Sequence, residues 1–469
     1  MNAPLREIDL RESAREVGAA GASRAYAWYV FALCFALMLL DYMARQVVVS
    51  MFPVFKEQWA LSDAKLGALV SVVSLAVGVL CVPLAVVADR YSRVKAIAVM
   101  AVVWSAATAA SAMARSYEHL LLARFFVGAG EAAYGAAAAS LIAAVFPVRQ
   151  RAAAIGSFMS AALFGSVLGV IVGGAVGTRF GWQAGFWVVG LPGLVLAVLF
   201  FFLRDYKTVA LSVPTEDGAR PLTFLEGVAQ MFRSRSVLSA YAANGILIFV
   251  TGTMTAWLPT FFNRVYGLPA PAASVRAAGA ILAAGVGSSL CGFLVGRFAR
   301  RSQRALFLGP AVIATCVALI LGFAFHLGPG RLQFALILLG SVGLAGTQGP
   351  MTAAIASRVH PGLRATAIAM LAVVQNIVGL AAGSLITGML SDRLGIAHAL
   401  AVVPLLALGS AVIFVAGARS YVREAESATA EEPQSSPRSS SLSPRFGSAR
   451  SNTRLSLEGP NDGQVSTRR

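Results

Sequence analysis

The sequence predicts an all-α polytopic membrane protein with twelve transmembrane helices in two six-helix halves. Three observations carry that expectation. The 469-residue chain is 57% hydrophobic and only 13% charged, with a mean hydropathy of +0.73, far from the mixture of a soluble domain. Apolar stretches of about 20 residues, the length that crosses a bilayer as a helix, recur along the chain. Short sequence echoes return in chain order at an offset of about 206 to 214 residues, as an internal duplication requires.

Taken in order, residues 1–24 form a polar tail without the short apolar core and small-residue cleavage site of a signal peptide, so a cytoplasmic N-terminus is expected. Spans at 26–50, 65–88, 95–114, 118–146, 151–178 and 183–203 build the N-terminal half, 25–203. The inter-half loop, 204–236, contains TFLEGVAQMFR, in which Thr223 and Glu226 have capping-box spacing. Leu225, Val228 and Phe232 share a helical face there, which predicts a short amphipathic helix on the cytoplasmic membrane surface. Spans at 237–263, 274–297, 304–326, 331–357, 364–391 and 396–419 build the C-terminal half, 237–420. Residues 421–469 are Ser/Arg-rich and poor in core-forming side chains, so a disordered cytoplasmic tail is expected. Its arginines suit anionic lipid, although a dispensable tail is the plainer reading.

Charge placement orients the spans. Arg90, Arg93, Lys95, Arg149, Arg151, Arg297, Arg300, Arg301, Arg304, Arg358 and Arg364 fall on one side with the long loop, whereas the other side holds isolated residues such as Lys56, Lys65, Arg264 and Arg393. The positive-inside rule makes the richer side cytoplasmic, with both termini there. The formal charge of +17 is spread over loops and tails instead of a folded basic module, so no nucleic-acid partner is expected. Cys34, Cys81, Cys291 and Cys316 all lie in apolar stretches without metal-ligand spacing and read as small packing residues. No cofactor and no metal is expected.

The duplication is legible in four places. FPVF at 52–55 is echoed by LPTF at 258–261, DRYSR at 89–93 by GRFAR at 296–300, and FPVRQRAAAIG at 146–156 by HPGLRATAIAM at 360–370. The glycine pair Gly165 and Gly169 returns as Gly379 and Gly383. Two such repeats with a substrate cavity between them is a transporter plan.

Ionisable side chains inside the spans point to the work done there. Asp41 and Arg45 sit one turn apart in the first span; Arg124 and Glu131 sit two turns apart in the fourth, and helical rise puts Asp41 and Arg124 at similar depth. Each such charge costs about 2.5–3.5 kcal/mol on insertion scales, so the four together cost on the order of 10 kcal/mol. Register-fixing ion pairing, with Arg45 snorkelling outward, is the structural alternative. Function is the stronger reading: burial raises a carboxylate's pKa and a neighbouring guanidinium lowers it, so moving Arg124 relative to an acid toggles a proton. Asp41, Glu131 and Arg124 are thus the proton-coupling candidates, and Arg45 and Arg124 the candidates for an anionic headgroup, whose oxygens suit arginine's planar fork. The second half embeds only neutral polar groups, Asn244, Thr251, Thr253, Gln348, Gln375 and Asn376, among Phe, Leu, Ala and Val, so coupling is expected in the first half. An amphiphile with an anionic head fits this asymmetry better than a sugar.

These residues carry a resemblance. AVVADRYSRVKA at 85–96 resembles the loop after the second span of the major facilitator superfamily, matching it at Asp89, Arg90 and Arg93, with Ala85 and Ser92 in place of glycines. RFFVGAGEA at 124–132 resembles the fourth-span basic motif, and GSVLGVIVGG at 165–174 the fifth-span glycine motif, with Val170 where antiporters usually carry proline. Within the superfamily, DYMAR at 41–45, FGWQAGFWVVGLPG at 180–193 and GMLSDRLG at 388–395 are similar to the Spinster family of lysolipid and sphingolipid transporters, over about residues 25–420. The resemblance implies the major facilitator fold, rocker-switch alternating access and proton drive. It assigns Asp41 and Glu131 to proton sensing, Arg124 to their partner, Arg45 to the headgroup, and Asp89 with Arg90 and Arg93 to a cytoplasmic gate, lopsided because Gly296 stands at the equivalent place.

The expected partners are therefore protons, a lipid-like substrate and membrane lipids, for a monomer in the inner membrane. A carrier of soluble organic anions or drugs is the alternative within transport. A lipid sensor or lipid-modifying enzyme is the alternative from another class, and no HExxH or nucleophile elbow supports it.

Overall fold

The structure, a computed structural model, describes residues 23–90, 92–203, 234–359 and 363–431. Among them, eleven helices are long and apolar enough to cross a membrane. The amphipathic helix expected around 223–232 lies outside the described residues, as does nearly all of the N-terminal tail.

In the first half, α1 (Arg24–Ser50) leads through the short α2 (Phe52–Trp59) to α3 (Asp63–Arg90) and α4 (Arg93–Ala112). Next, α5 (Tyr117–Glu131) and α6 (Tyr134–Val145) form one interrupted span, before α7 (Val148–Phe180) and α8 (Trp182–Phe201). Serines set several of the starts: Ser23, Ser92 and Ser116 each accept a hydrogen bond from the backbone N–H three residues on, satisfying a donor that the helix leaves open. Ser92, which replaces a glycine of the loop motif, serves here as the cap of α4.

The second half holds α9 (Arg235–Arg264), α10 (Ala270–Ala299) and α11 (Ala305–His326). Where one span was expected at 331–357, there are two short helices, α12 (Arg331–Ser341) and α13 (Gln348–Arg358). The cause is legible in retrospect: Gly340, Gly343, Gly346 and Gly349 weaken the helix. A freed backbone carbonyl at Leu344 then accepts from Thr251 Oγ1 of α9 at 2.9 Å, so the break is satisfied inside the protein. α14 (Arg364–Val374) continues through a π-helical segment, Gln375–Ala381, into α15 (Ala382–Leu394). α16 (Ile396–Val402) and α17 (Leu406–Glu431) close the described chain.

Two expectations need correction. The first residues of the expected tail, 421–431, continue α17, while the rest of that tail, 432–469, lies outside the described residues. Its first residues beyond the membrane core make tertiary bonds: the Tyr421 carbonyl accepts from Arg358 Nη2 at 2.6 Å, and Glu424 accepts from the Ser234 hydroxyl at 2.9 Å and the Ser236 amide at 3.1 Å, at the start of α9. Cys316 is not a packing residue; it is exposed on the outer face, while Cys34 is buried.

The glycine echoes have a packing meaning. Gly165, Gly169 and Gly173 of α7 lie against Leu39, Met43 and Val47 of α1 so closely that a methyl group would meet backbone atoms or Ser50. In the second half Gly379 and Gly383 lie the same way against Ile248 and Phe249 of α9. Small residues let membrane helices approach to backbone contact, so each half uses the same tight pair. Between the halves, Gly67 of α3 abuts Ser384 of α15, and Gly174 of α7 abuts Ser274 of α10.

The cores are arranged unequally along the molecule. Where α1 finishes, residues such as Phe52, Phe55 and Leu66 share one continuous apolar cluster with Trp257, Phe261 and Phe262 of the second half. Where α1 begins, Val30, Ile97, Ile142 and Phe200 form a separate cluster made of first-half residues alone.

Candidate functional site

The charged cluster forms where α1, α3 and α5 converge. Gly128 of α5 lies against the Val73 backbone of α3, and Gly130 against Trp104 of α4, so α5 is drawn deep into the first half. That approach buries Arg124 and Glu131, 1% and 4% exposed, beside Asp41 at 4%.

The pairing differs from the one expected of the sequence. Arg124 makes no ion pair with either acid among the described residues; its Nη1 donates to the Ala44 carbonyl at 2.9 Å and its Nε reaches the Leu69 carbonyl at 3.5 Å. Arg45 takes the central place, with Nη2 at 3.0 Å from Glu131 Oε1 and Nε at 3.8 Å from Asp41 Oδ1. Its guanidinium also lies over the Tyr42 ring, 5.3 Å from the centroid. Contact is close but poorly aligned: Asp41 Oδ1, Arg45 Nε and both carboxylate oxygens of Glu131 make no directed hydrogen bond within the protein.

Arg45 and Arg124 face a cavity of about 160 Å³ between the halves, shared with Tyr42, Gln46, Thr251 and Thr255. Of the neutral groups anticipated in the second half, Thr251 lines this cavity. Asn244 and Gln375 are joined by a 2.7 Å bond, with Asn244 donating to Thr347 at 3.1 Å and Gln375 reaching Gln348 at 3.4 Å. Asn376 binds its own helix at the Ala372 carbonyl, and Thr253 pairs with Thr387 at 2.8 Å. Of the gate residues, Arg93 opens α4. Asp89 and Arg90 end α3, and their side chains lie outside the described residues.

One set of paired charged side chains escaped the sequence reading. Asp63, at the start of α3, receives a two-pronged contact from Arg264 at the end of α9, at 2.7 and 2.9 Å. Lys56 and Ser391 each donate to the same carboxylate at 2.6 Å. Asp392 of α15 accepts from the Asp63 and Ala64 amides at 2.7 and 2.8 Å, capping α3 with a side chain from the other half. Beneath this clasp Trp257 packs on Phe52 at 5.4 Å and donates to the Ser384 carbonyl at 3.0 Å. These contacts join the two halves at the end where α1 finishes. No local signal announces a pairing across 201 residues; Lys56 and Arg264 stood out only as charges on a sparsely charged side.

Helices of this order around a cleft between two similar halves, with charges paired in its wall, define a membrane transporter, and residues 34–383 match the family model described as Major Facilitator Superfamily. The chain belongs to that superfamily, a transporter class and not an enzyme class, and is an integral membrane protein. Within it, the chain is homologous to Spinster proteins: it is 28% identical to protein spinster homolog 1 of Rattus norvegicus over 402 residues, 80% of this chain and 75% of that one. It is also 27% identical to the hexuronate transporter of Bacillus subtilis (strain 168) over 309 residues, 63% of this chain and 72% of that one. Among solved structures it is similar in fold, with a TM-score of 0.77 and 22% identity, to a bacterial homolog of the human lysosomal transporter Spinster in an inward-facing and unoccupied conformation, over 86% of this chain and 99% of that one.

Proposed function

We propose that the protein is a proton-coupled secondary transporter of anionic amphiphiles such as lysophospholipids, working by rocker-switch alternating access. The observation that carries this reading is Arg45, held between Asp41 and Glu131 on the wall of the inter-half cavity. An anionic headgroup entering the cavity competes for that guanidinium, and an acid released from it loses its counter-charge, which a proton can replace. Binding of substrate and binding of a proton thereby become linked through one side chain. Arg124 stays on the Ala44 and Leu69 carbonyls as a fixed positive field and a second headgroup contact.

Counting 331–358 as one broken span gives twelve spans in two halves, with both termini cytoplasmic. In that orientation the Asp63–Arg264 clasp is the closed extracytoplasmic gate. The halves share a core on that side, whereas the cluster where α1 begins is built from first-half residues alone, which supports an inward-open state. The Spinster relatives support a lipid-like substrate.

The test is uptake of labelled lysophospholipid by reconstituted vesicles under an imposed pH gradient. We expect gradient-driven uptake, and Asp41→Asn to retain substrate binding but to lose the dependence on the gradient. Uptake by that variant which still follows the gradient would defeat the coupling assignment. A second reading, a carrier of soluble organic anions, is favoured by the likeness to the hexuronate transporter. Competition separates them, since hexuronate that displaces lysolipid at comparable concentration would favour the soluble anion.

A further inference from the structure

A second concentration of positive charge lies on the outer surface of the C-terminal half, away from the inter-half cavity. α10 and α11 are joined by the turn that holds Arg300, Arg301 and Arg304. A groove of about 520 Å³ runs between these helices, walled by Leu294, Phe298 and Val312, with Arg301 and Arg304 at its end. On the other side of α11, a groove of about 360 Å³ lies against α17, walled by Val415 and Val422, with Arg304, Arg419 and Arg423 at its end. Arg304 and Leu308 belong to both, so the grooves straddle the first turns of α11.

The apolar walls face outward: Phe298 is 58% exposed and Val312 63%. The side chains of Arg301 and Arg304 have no hydrogen bond or ion pair among the described residues. The nearby acid on α17, Glu424, is occupied by Ser234 and Ser236. Two hydrocarbon-lined grooves that converge on Arg301 and Arg304, neither of them paired among the described residues, complement a ligand with one anionic head and two apolar tails. Arginine's planar fork matches a phosphodiester, and long arginine stems lie along apolar surface while their heads reach the headgroup layer.

We infer that this face binds an anionic diacyl phospholipid of the surrounding leaflet, its phosphate between Arg301, Arg304 and Arg419 and its two chains in the grooves flanking α11. The site stands apart from the transport cavity and does not depend on the substrate assigned there.

Native mass spectrometry of the full chain, released from micelles containing equal amounts of phosphatidylglycerol and phosphatidylcholine, tests it. The wild type should retain phosphatidylglycerol in preference by roughly tenfold, given the attraction of basic residues to anionic lipid. Arg301→Gln with Arg304→Gln should bring that preference near parity, and Val312→Trp, which fills one groove, should weaken it with every arginine in place. Arg331→Gln, a basic position outside both grooves, should leave it unchanged. Equal retention of the two lipids by the wild type would overturn the site. So would an unchanged preference in the double variant, or an equal loss in Arg331→Gln, which would indicate general interfacial attraction. Lysophosphatidylglycerol retained as well as the diacyl lipid, and released by Arg301→Gln with Arg304→Gln, which leaves the transport cavity intact, would overturn the two-groove assignment.

Discussion

At the scale of single residues, the site depends on which arginine stands between the acids. Arg45 pairs with Asp41 and Glu131, whereas Arg124 binds carbonyls, so the two arginines should fail differently. Arg45→Ala leaves two buried acids without their partner. We expect a folded protein in which lysolipid uptake falls by an order of magnitude or more, since removal of a charge-assisted contact is worth about 1.5–3 kcal/mol. Vesicle uptake normalised to folded protein checks it. Arg124→Lys places one compact ammonium where a fork spans two carbonyls, and should lose about 1–3 kcal/mol of stability through the orphaned Ala44 or Leu69 acceptor. A lowered unfolding temperature in detergent, with or without substrate, is the expected result. The i,i+4 relation of Asp41 and Arg45 was legible in the sequence, because spacing along one helix fixes shared faces. Their meeting with Glu131 was not, because spacing along one helix says nothing of its rotation against another.

Elements are positioned by glycine. The pairs of α1 with α7 and of α9 with the Gln375–Leu394 stretch rest on backbone contact at Gly165, Gly169 and Gly383 and on contact with the Ile248 side chain at Gly379. Gly383→Val puts branched carbons against the Phe249 backbone and should cost about 1–3 kcal/mol, the usual penalty of overpacking. Gly292→Ala, where an added methyl group meets open space, should be neutral. Parallel measurement of unfolding temperature and folded yield distinguishes the two, and equal behaviour would show that close approach is not what these glycines provide. The recurrence of the pair was readable before the fold was known. The broken span at 331–358 was not: its composition is apolar enough for one helix, and only Thr251, reaching over from α9, makes the interruption tolerable at Leu344.

For the whole molecule, the clasp at Asp63 should set the balance between conformations. Arg264, Lys56, Ser391 and Asp392 all converge on the start of α3, joining the halves on one side only. Arg264→Ala should therefore shift the population toward a form open on that side, by on the order of tenfold if the partly buried fork contributes a little over 1 kcal/mol. Spin labels at Lys65 and Arg393, exposed positions on α3 and α15 beside the clasp, should report a longer distance population in the variant. An unchanged distribution would mean that the shared apolar core around Trp257 alone holds this end closed. The same clasp sits outside the wall that holds Asp41 and Glu131, so its variants should alter rates of cycling while the pH dependence of uptake persists.

The sequence by itself determined what the solvent demands. Apolar length, charge asymmetry and repeated glycines follow from burying backbone in hydrocarbon and from duplication, and these are properties of neighbouring residues or of a fixed period. It also singled out Asp41, Arg45, Arg124 and Glu131, because a charge in an apolar run is conspicuous wherever it points. Tertiary structure alone decided which of them touch, that Arg124 is spent on carbonyls, and that Asp63 and Arg264 close one end. Those outcomes depend on how helices distant in the chain rotate and tilt against each other, and side chains on a sparsely charged surface carry no local mark of the partner they will meet.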